Sequence, residues 1–435
     1  MGYRFLFVSF NAVSIDLAWQ VLHAGHQVKY YIQYPEERNV GNGLVPKTRD
    51  WKKEIDWADV IVFDEVSGMG KLAARLRKAG KKVIGGSPKT DELEDRREYG
   101  QAMMQQCGLP IAKQHLFTTF RAGIQWILQH PQRYVLKPSG IAQSHKSLVL
   151  IGNDPKGKDI IAALESYEQH YSHLINEYLL QEYLEGVEVA VGAYFNGKTF
   201  CMPISINQEH KRLCTGDLGP MTSDMGALHC WMHPNVLFEK ALRPLQPVLQ
   251  NENYHGYIDV NCIVNEKAIM PLEYTMRFGY PTIAVHLESI RMNYGQWLYQ
   301  LAAGTLETIP VKQGVHIGIS IAMPPYPYQD KTIQAIQRAT PLVFKKQGKM
   351  VTPTPQQLKG LHLEDVEYQK GLFYPASTTG MLFVACGSGA NTKEARVQAL
   401  ETCKTIAIPN GFYRTDIGQR WEQDSDKLLA WGYLQ

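Results

Sequence analysis

The chain has 435 residues, 44% apolar and 20% charged, the balance of an ordinary globular protein long enough for two to four domains of roughly 150 residues. Its 45 Lys and Arg against 42 Asp and Glu leave +3, too weak a field to argue for nucleic acid or an anionic membrane as partner. Apolar runs such as Val60–Phe63 and Met381–Cys386 fall short of the ~20 residues that a bilayer span requires. The seven cysteines are odd in number and show no C-x-x-C spacing, so free thiols in a reducing cytosol are expected rather than a disulfide framework or zinc cluster. A cytoplasmic location follows as the expectation.

Residues 3–9 are β-rich, and the spacing of Ile15, Ala18, Val21 and Leu22 predicts a helix over 14–24, stopped by Gly25. Strand 28–33, strand 59–64, helix 68–79 and strand 82–85 continue the alternation. Residues 1 to about 90 thus read as a small doubly wound α/β unit with a parallel sheet. A helix over about 90–107 follows, then strand 114–117, helix 120–129 and strand 133–137. Strand 147–151, helix 159–170 and strand 177–182 come next. The stretch 186–206 alternates like a hairpin turned at Asn196-Gly197. Residues 207–230 read as a long polar loop, the kind of connection that carries function. A helix at 235–250 precedes strands 256–264 and 268–274. From about 310 the chain is β-rich and proline-rich, and it carries a last helix at 391–406 capped by Asn391 and Glu394.

Several motifs stand in one order. Val135-Leu136-Lys137, with Gly140, puts a cation at the end of an apolar strand before a turn, where it serves as a point charge for phosphate oxygens. Gln181-Glu182-Tyr183-Leu184-Glu185-Gly186-Val187-Glu188 is a strand and hinge. Gln208–Arg212, Asp217–Pro220 and Asp224–Ala227 punctuate the polar stretch. Leu272-Glu273-Tyr274-Thr275-Met276-Arg277-Phe278-Gly279-Tyr280-Pro281 and Tyr413–Gly418 complete the set. In this combination the chain resembles glycinamide ribonucleotide synthetase (phosphoribosylamine–glycine ligase) of the ATP-grasp superfamily, over nearly its whole length.

The resemblance implies an α/β and α+β protein with an ATP-grasp fold. Its expected parts are an N-terminal α/β domain at 1–90, an ATP-grasp domain at 91–308 with a mobile lid at about 115–190, and a C-terminal α+β domain at 309–435. It implies an ADP-forming ligase that joins a small carboxylate and an amine through an acyl phosphate, using ATP with magnesium, or manganese in its place. Lys137, Arg97 and Lys211 are the expected phosphate cations. Gln181, the main chain of Glu182 and Leu184, and Glu188 are expected at adenine and ribose. Glu273 is the expected metal ligand, on a strand where an unpaired carboxylate is costly. Thr275 two residues on shares its face, and Asp259 and Asn261 on the preceding strand are further metal candidates. Arg277 is expected to clamp a phosphoryl group or carboxylate bidentately, with Lys211 beside it in catalysis.

There are also departures. Where the family has glycines after its first strand, this chain has Ser9-Phe10-Asn11-Ala12-Val13-Ser14-Ile15, with little room for close approach of phosphate. The loop after Lys137 is reduced to Ile141–Ser147, and Tyr280 and Thr282 replace expected acids. Phosphoribosylamine is therefore expected to be a poor acceptor beside an amine without phosphate. A ligase for another amino acid and amine, and a non-catalytic nucleotide-binding relative, stay open, as does the oligomeric state.

Overall fold

Alternate residues of the first strand face two different cores, and this fixes the N-terminal unit. The computed structural model describes residues 2–139, 148–328, 330–346 and 348–435, the side chains of Lys346 and Gln356 excepted. Strand β1 (Arg4–Ser9) is followed by helix α1 (Ile15–His23), β2 (Gln27–Ile32), β3 (Val60–Phe63), α2 (Met69–Lys78) and β4 (Lys82–Ile84). Phe5 and Phe7 pack on the α1 side with Ile15 and Ala18, while Leu6 and Val8 pack on the α2 side with Met69 and Ala73. All pairings are parallel, in the order β2-β1-β3-β4. β1 thus lies between β2 and β3, and the β1–β2 and β3–β4 connections run in opposite directions across the sheet. The crevice of such a sheet lies beyond its carboxyl ends, here at Asn11–Ser14 and Asp64–Glu65.

The expected helix over 90–107 is two helices, α3 (Pro88–Asp95) and α4 (Arg97–Gln106). Arg96 between them is extended, with φ −117° and ψ 95°. Beyond it, β5 (Gln114–Phe117), α5 (Phe120–Gln129), β6 (Tyr134–Pro138), β7 (Leu150–Ile151), α6 (Lys158–His170) and β8 (Tyr178–Glu182) form an antiparallel sheet, ordered β5-β8-β6-β7, with two helices. This unit has a core of its own, in which Ile127, Leu136, Ile160, Leu164 and Leu180 are fully buried. The loop Gly140–Ser147 lies outside the described residues.

Next come β9 (Val187–Asn196) and β10 (Ile204–Glu209), turned at Gly197 with φ +85°, as the sequence suggests. The supposed loop 207–230 is mostly strand instead: β11 (Arg212–Cys214) and β12 (Leu218–Met221) make a hairpin, and β13 (Gly226–Met232) enters the main sheet. β11 and β12 are short and half-exposed and carry no apolar alternation, whereas β13 is buried nearly throughout. The expected helix 235–250 is split into α7 (Val236–Ala241) and α8 (Gln246–Asn251), because Pro244 and Pro247 interrupt it. After β14 (His255–Val264) and β15 (Ile269–Thr275) come two helices that the sequence reading did not assign, α9 (Thr282–Ser289) and α10 (Tyr294–Ala303).

β16 (Val315–Ala322) opens the last third. It is followed by α11 (Lys331–Arg338), β17 (Val343–Lys346), β18 (Lys349–Val351), β19 (Leu361–Leu363), β20 (Val366–Gln369), β21 (Leu372–Pro375), β22 (Met381–Gly389), α12 (Thr392–Cys403), β23 (Ile406–Ala407) and α13 (Trp421–Ala430). One eight-stranded sheet, β15-β14-β9-β10-β13-β16-β22-β19, joins strands from both sides of residue 309. β15 is an edge strand, which is where Pro271 is tolerated. Among the described residues no helix is long and apolar enough to cross a membrane.

Candidate active site

A cavity of about 1230 Å³ opens where the two smaller units and the long sheet meet. Twelve carboxylates and six cations are among its described lining residues, so its walls attract positive charge overall but carry local cationic patches.

One patch comes from the β5–β8 sheet. Lys137, near the end of β6, donates from Nζ to Gln181 Oε1 at 2.8 Å, and Val135 pairs with Gln181 across the two strands. Burial, reinforced by the nearby Arg97 charge, pulls the Lys137 pKa down to about 8. An anion bound beside it would restore the ordinary value. Arg97, Lys137, Gln181, Leu184 and Glu188 all line the cavity. The Glu182 backbone N–H is committed to the Lys113 carbonyl at 3.0 Å.

The facing wall is the polar face of the long sheet. Register pairs Asn261 with Glu273 and Asp259 with Thr275 across β14 and β15, with a bulge just beyond Asn261. The Lys211 ammonium, in the tight connection between β10 and β11, lies 3.1 Å from Glu209, 3.5 Å from Glu273 and 3.8 Å from Glu188. Burial pulls its pKa down, but the three carboxylates more than offset this and hold it well above the usual lysine value. This wall therefore already gathers a cation between hard oxygens. Glu273, Thr275, Glu188 and Lys211 face the cavity, whereas Asp259 and Asn261 do not line it. Asn261 donates to Glu188 at 3.0 Å. Asp259 is buried, and its pKa is pushed up to about 7 by desolvation, with Glu209 adding to the effect. Both are buried behind the cavity wall, which Glu273 and Thr275 form.

At the floor, Arg277 Nε donates to Glu94 at 2.9 Å, and Glu94 also accepts the Met276 N–H at 2.7 Å. Nothing in the sequence linked Glu94 to Arg277, because they are 183 residues apart. Glu65 lies nearby, with the Asn11 amide placed to donate to both its oxygens at 2.9 and 3.2 Å. Burial, then the Asp64 charge, pushes the Glu65 pKa up to about 8. Asp64 accepts from the Ser14 hydroxyl and the Ser14 N–H at the start of α1. The position where a phosphate would meet that helix is thus taken by the protein's own carboxylate.

The closing motif is structural. Arg414 is buried and bound by Asp416 at 2.7 Å and Asp217 at 2.9 Å, which ties the β11–β12 hairpin to the chain end.

Glu65 gives a stability test. Its folded carboxyl keeps a proton to about pH 8, whereas an unfolded Glu releases it near ~4.3. Between these values the folded chain binds more protons, so this group's contribution to stability falls as pH rises from about 4 to about 8. Glu65→Gln is expected to gain in Tm over the parent as pH goes from about 5 to 8.5. A Tm difference that is flat with pH would contradict the buried carboxyl.

Residues 95–283 match the family model for the phosphoribosylglycinamide synthetase ATP-grasp (A) domain. A phosphoribosylamine–glycine ligase of Lactococcus lactis is 24% identical over 369 residues, covering 83% of this chain and 83% of its own. Among solved structures, a phosphoribosylamine–glycine ligase from Thermotoga maritima superposes with a TM-score of 0.68 at 19% identity, over 95% of this chain and 100% of that one. A biotin carboxylase from Campylobacter jejuni, solved as a β-γ-ATP complex, does so at 0.61 and 13% identity, over 100% and 97%.

Proposed function

We infer that this chain, which has the ATP-grasp fold and resembles the phosphoribosylamine–glycine ligases, is an ADP-forming carboxylate–amine ligase. The observation that carries this is the facing of two walls across one cavity. Lys137 stands on one side and Lys211 among Glu188, Glu209 and Glu273 stands on the other, with Arg97 brought in by α4, which packs against β15. Such a cleft receives a polyphosphate lengthwise.

In the first step a carboxylate oxygen takes the γ-phosphoryl group of ATP, giving an acyl phosphate and ADP. In the second the amine nitrogen attacks the acyl carbon. A C–N bond forms, the C–O bond to phosphate breaks, inorganic phosphate leaves and the nitrogen loses a proton. Such chemistry is mainly positioning and charge neutralisation. Lys137 and Arg97 hold phosphate oxygens, and Gln181, with the main chain of Glu182 and Leu184, borders the adenine. Glu188, fixed by Asn261, receives ribose hydroxyls. Lys211 and Arg277 face the transferred phosphoryl group and the acyl carboxylate. The hard oxygens already gathered around Lys211 suit a divalent ion, so Glu273, with Thr275 as a neutral oxygen, holds magnesium, or manganese in its place. That ion supplies charge neutralisation at the phosphates.

The proposed division stays at about residues 90 and 308, with one eight-stranded sheet crossing the second boundary, and the separate core of the β5–β8 unit supports a mobile lid over about 115–190. The chain acts on small molecules in the cytoplasm. ADP release is expected only when amine and amino acid are both present. Release that ignores both partners would favour a simple ATPase, and tight nucleotide binding without ADP would favour a non-catalytic relative.

A further inference from the structure

We propose that the acceptor is an amine bearing a second positive charge and no phosphate, whose distal ammonium is held by Glu37 and Asp365 where the N-terminal unit meets the last third of the chain. Naming this occupant as the acceptor rests on the ligase reading above.

Glu37, Glu364 and Asp365 line the same cavity as Lys137 and Arg277. Glu37 is only 5% exposed. Its Oε1 accepts from the Thr378 hydroxyl at 3.0 Å, while its buried Oε2 has no hydrogen-bond partner. A buried carboxylate oxygen without a donor is costly, and a turn of the Glu37 carboxylate that brings this oxygen to an ammonium in the cavity removes that cost. Asp365 lines the same cavity, close enough to Glu37 to feel its charge, and its oxygen accepts from the Thr379 hydroxyl. Its pKa is pushed up to about 7 by burial, then lowered in part by the Thr379 and Ser377 hydroxyls, with Glu37 raising it. Cations around this corner are engaged elsewhere: Arg338 donates to the main-chain carbonyls of Ser377 and Glu36. Tyr34, whose carbonyl accepts the Glu37 N–H, also lines the cavity, and an aromatic face beside a carboxylate suits an ammonium.

A sugar phosphate would find the opposite chemistry. The start of α1 is occupied by Asp64, Ala12 brings a β-carbon into the turn at φ +69°, and Arg277 is paired with Glu94. Arg414, the cation of the closing motif, is engaged by Asp416 and Asp217.

The test is calorimetry of the full chain with putrescine, n-butylamine and ribose 5-phosphate, together with ADP release for the same amines. Putrescine is expected to bind about tenfold or more tighter than butylamine, as for one hydrogen bond to a charged group. Glu37→Gln keeps the Thr378 contact and is expected to abolish that preference, and Asp365→Asn to reduce it. Ribose 5-phosphate binding tighter than putrescine, or a preference that survives in both variants, would overturn the proposal. If phosphoribosylamine then drives ADP release, the ligase reading survives and only this inference falls. If putrescine binds through Glu37 and no amine yields ADP, the acidic corner stands and the ligase reading falls.

Discussion

Glu273→Gln is expected to lower Mg·ATP turnover by roughly 10²-fold or more, about 2.7–4 kcal/mol, the cost of losing one strong charge-stabilising contact. The fold is expected to survive for a local reason. Glu273 lies on the edge strand β15 with its side chain 59% exposed, so the amide meets water rather than a sealed core. What changes is the charge opposite Lys211, which then faces Glu209 and Glu188 without the third carboxylate. ADP production by the purified, folded variant checks this. Near-normal turnover would remove Glu273 from the metal site.

The second large effect is expected at Arg277. Arg277→Lys keeps a positive charge for Glu94, which avoids stranding a buried carboxylate at a cost of ~3–5 kcal/mol. A lysine nevertheless loses the planar fork that now donates both to Glu94 and to the Phe278 carbonyl. With positioning lost at the acyl group, kcat is expected to fall by about 10²-fold, more than KM for ATP rises. A rise in KM for ATP at constant kcat would place Arg277 in nucleotide binding alone.

Much of the N-terminal unit was legible because strong periodicity leaves little choice. Val60–Phe63 is buried throughout, and β1 alternates between two cores, so strands and helices declare themselves. The break at Arg96 was not legible. Asp95-Arg96-Arg97 holds neither Gly nor Pro, and the kink follows from packing. The β11–β12 hairpin was missed for a related reason, since its hold is the distant Arg414 and its strands are only three and four residues long.

The site divides along the same line. Lys137, Gln181, Glu188, Glu273 and Arg277 sit in local motifs, and all of them line the cavity. Lys211, expected in a long loop as a phosphate cation, lies in the short connection between β10 and β11, and the three carboxylates around it carry no shared local signature. Glu94 and Glu37 carry no local signature. Glu94 acquires its role from β15 and Glu37 from Thr378, 341 residues away. The excess of carboxylates in the cavity is therefore a tertiary property, invisible in a net charge of +3.

The acyl phosphate is the centre of the mechanism, and oxygen transfer tests it most directly. The amino-acid substrate is supplied with ¹⁸O in its carboxylate, and the inorganic phosphate released in a complete reaction with Mg·ATP and amine is examined by mass spectrometry. One ¹⁸O per phosphate is expected, because the C–O bond broken by the amine leaves the labelled oxygen on phosphorus. Phosphate free of label, formed at the rate of ADP release, would contradict an acyl phosphate and with it the ligase mechanism.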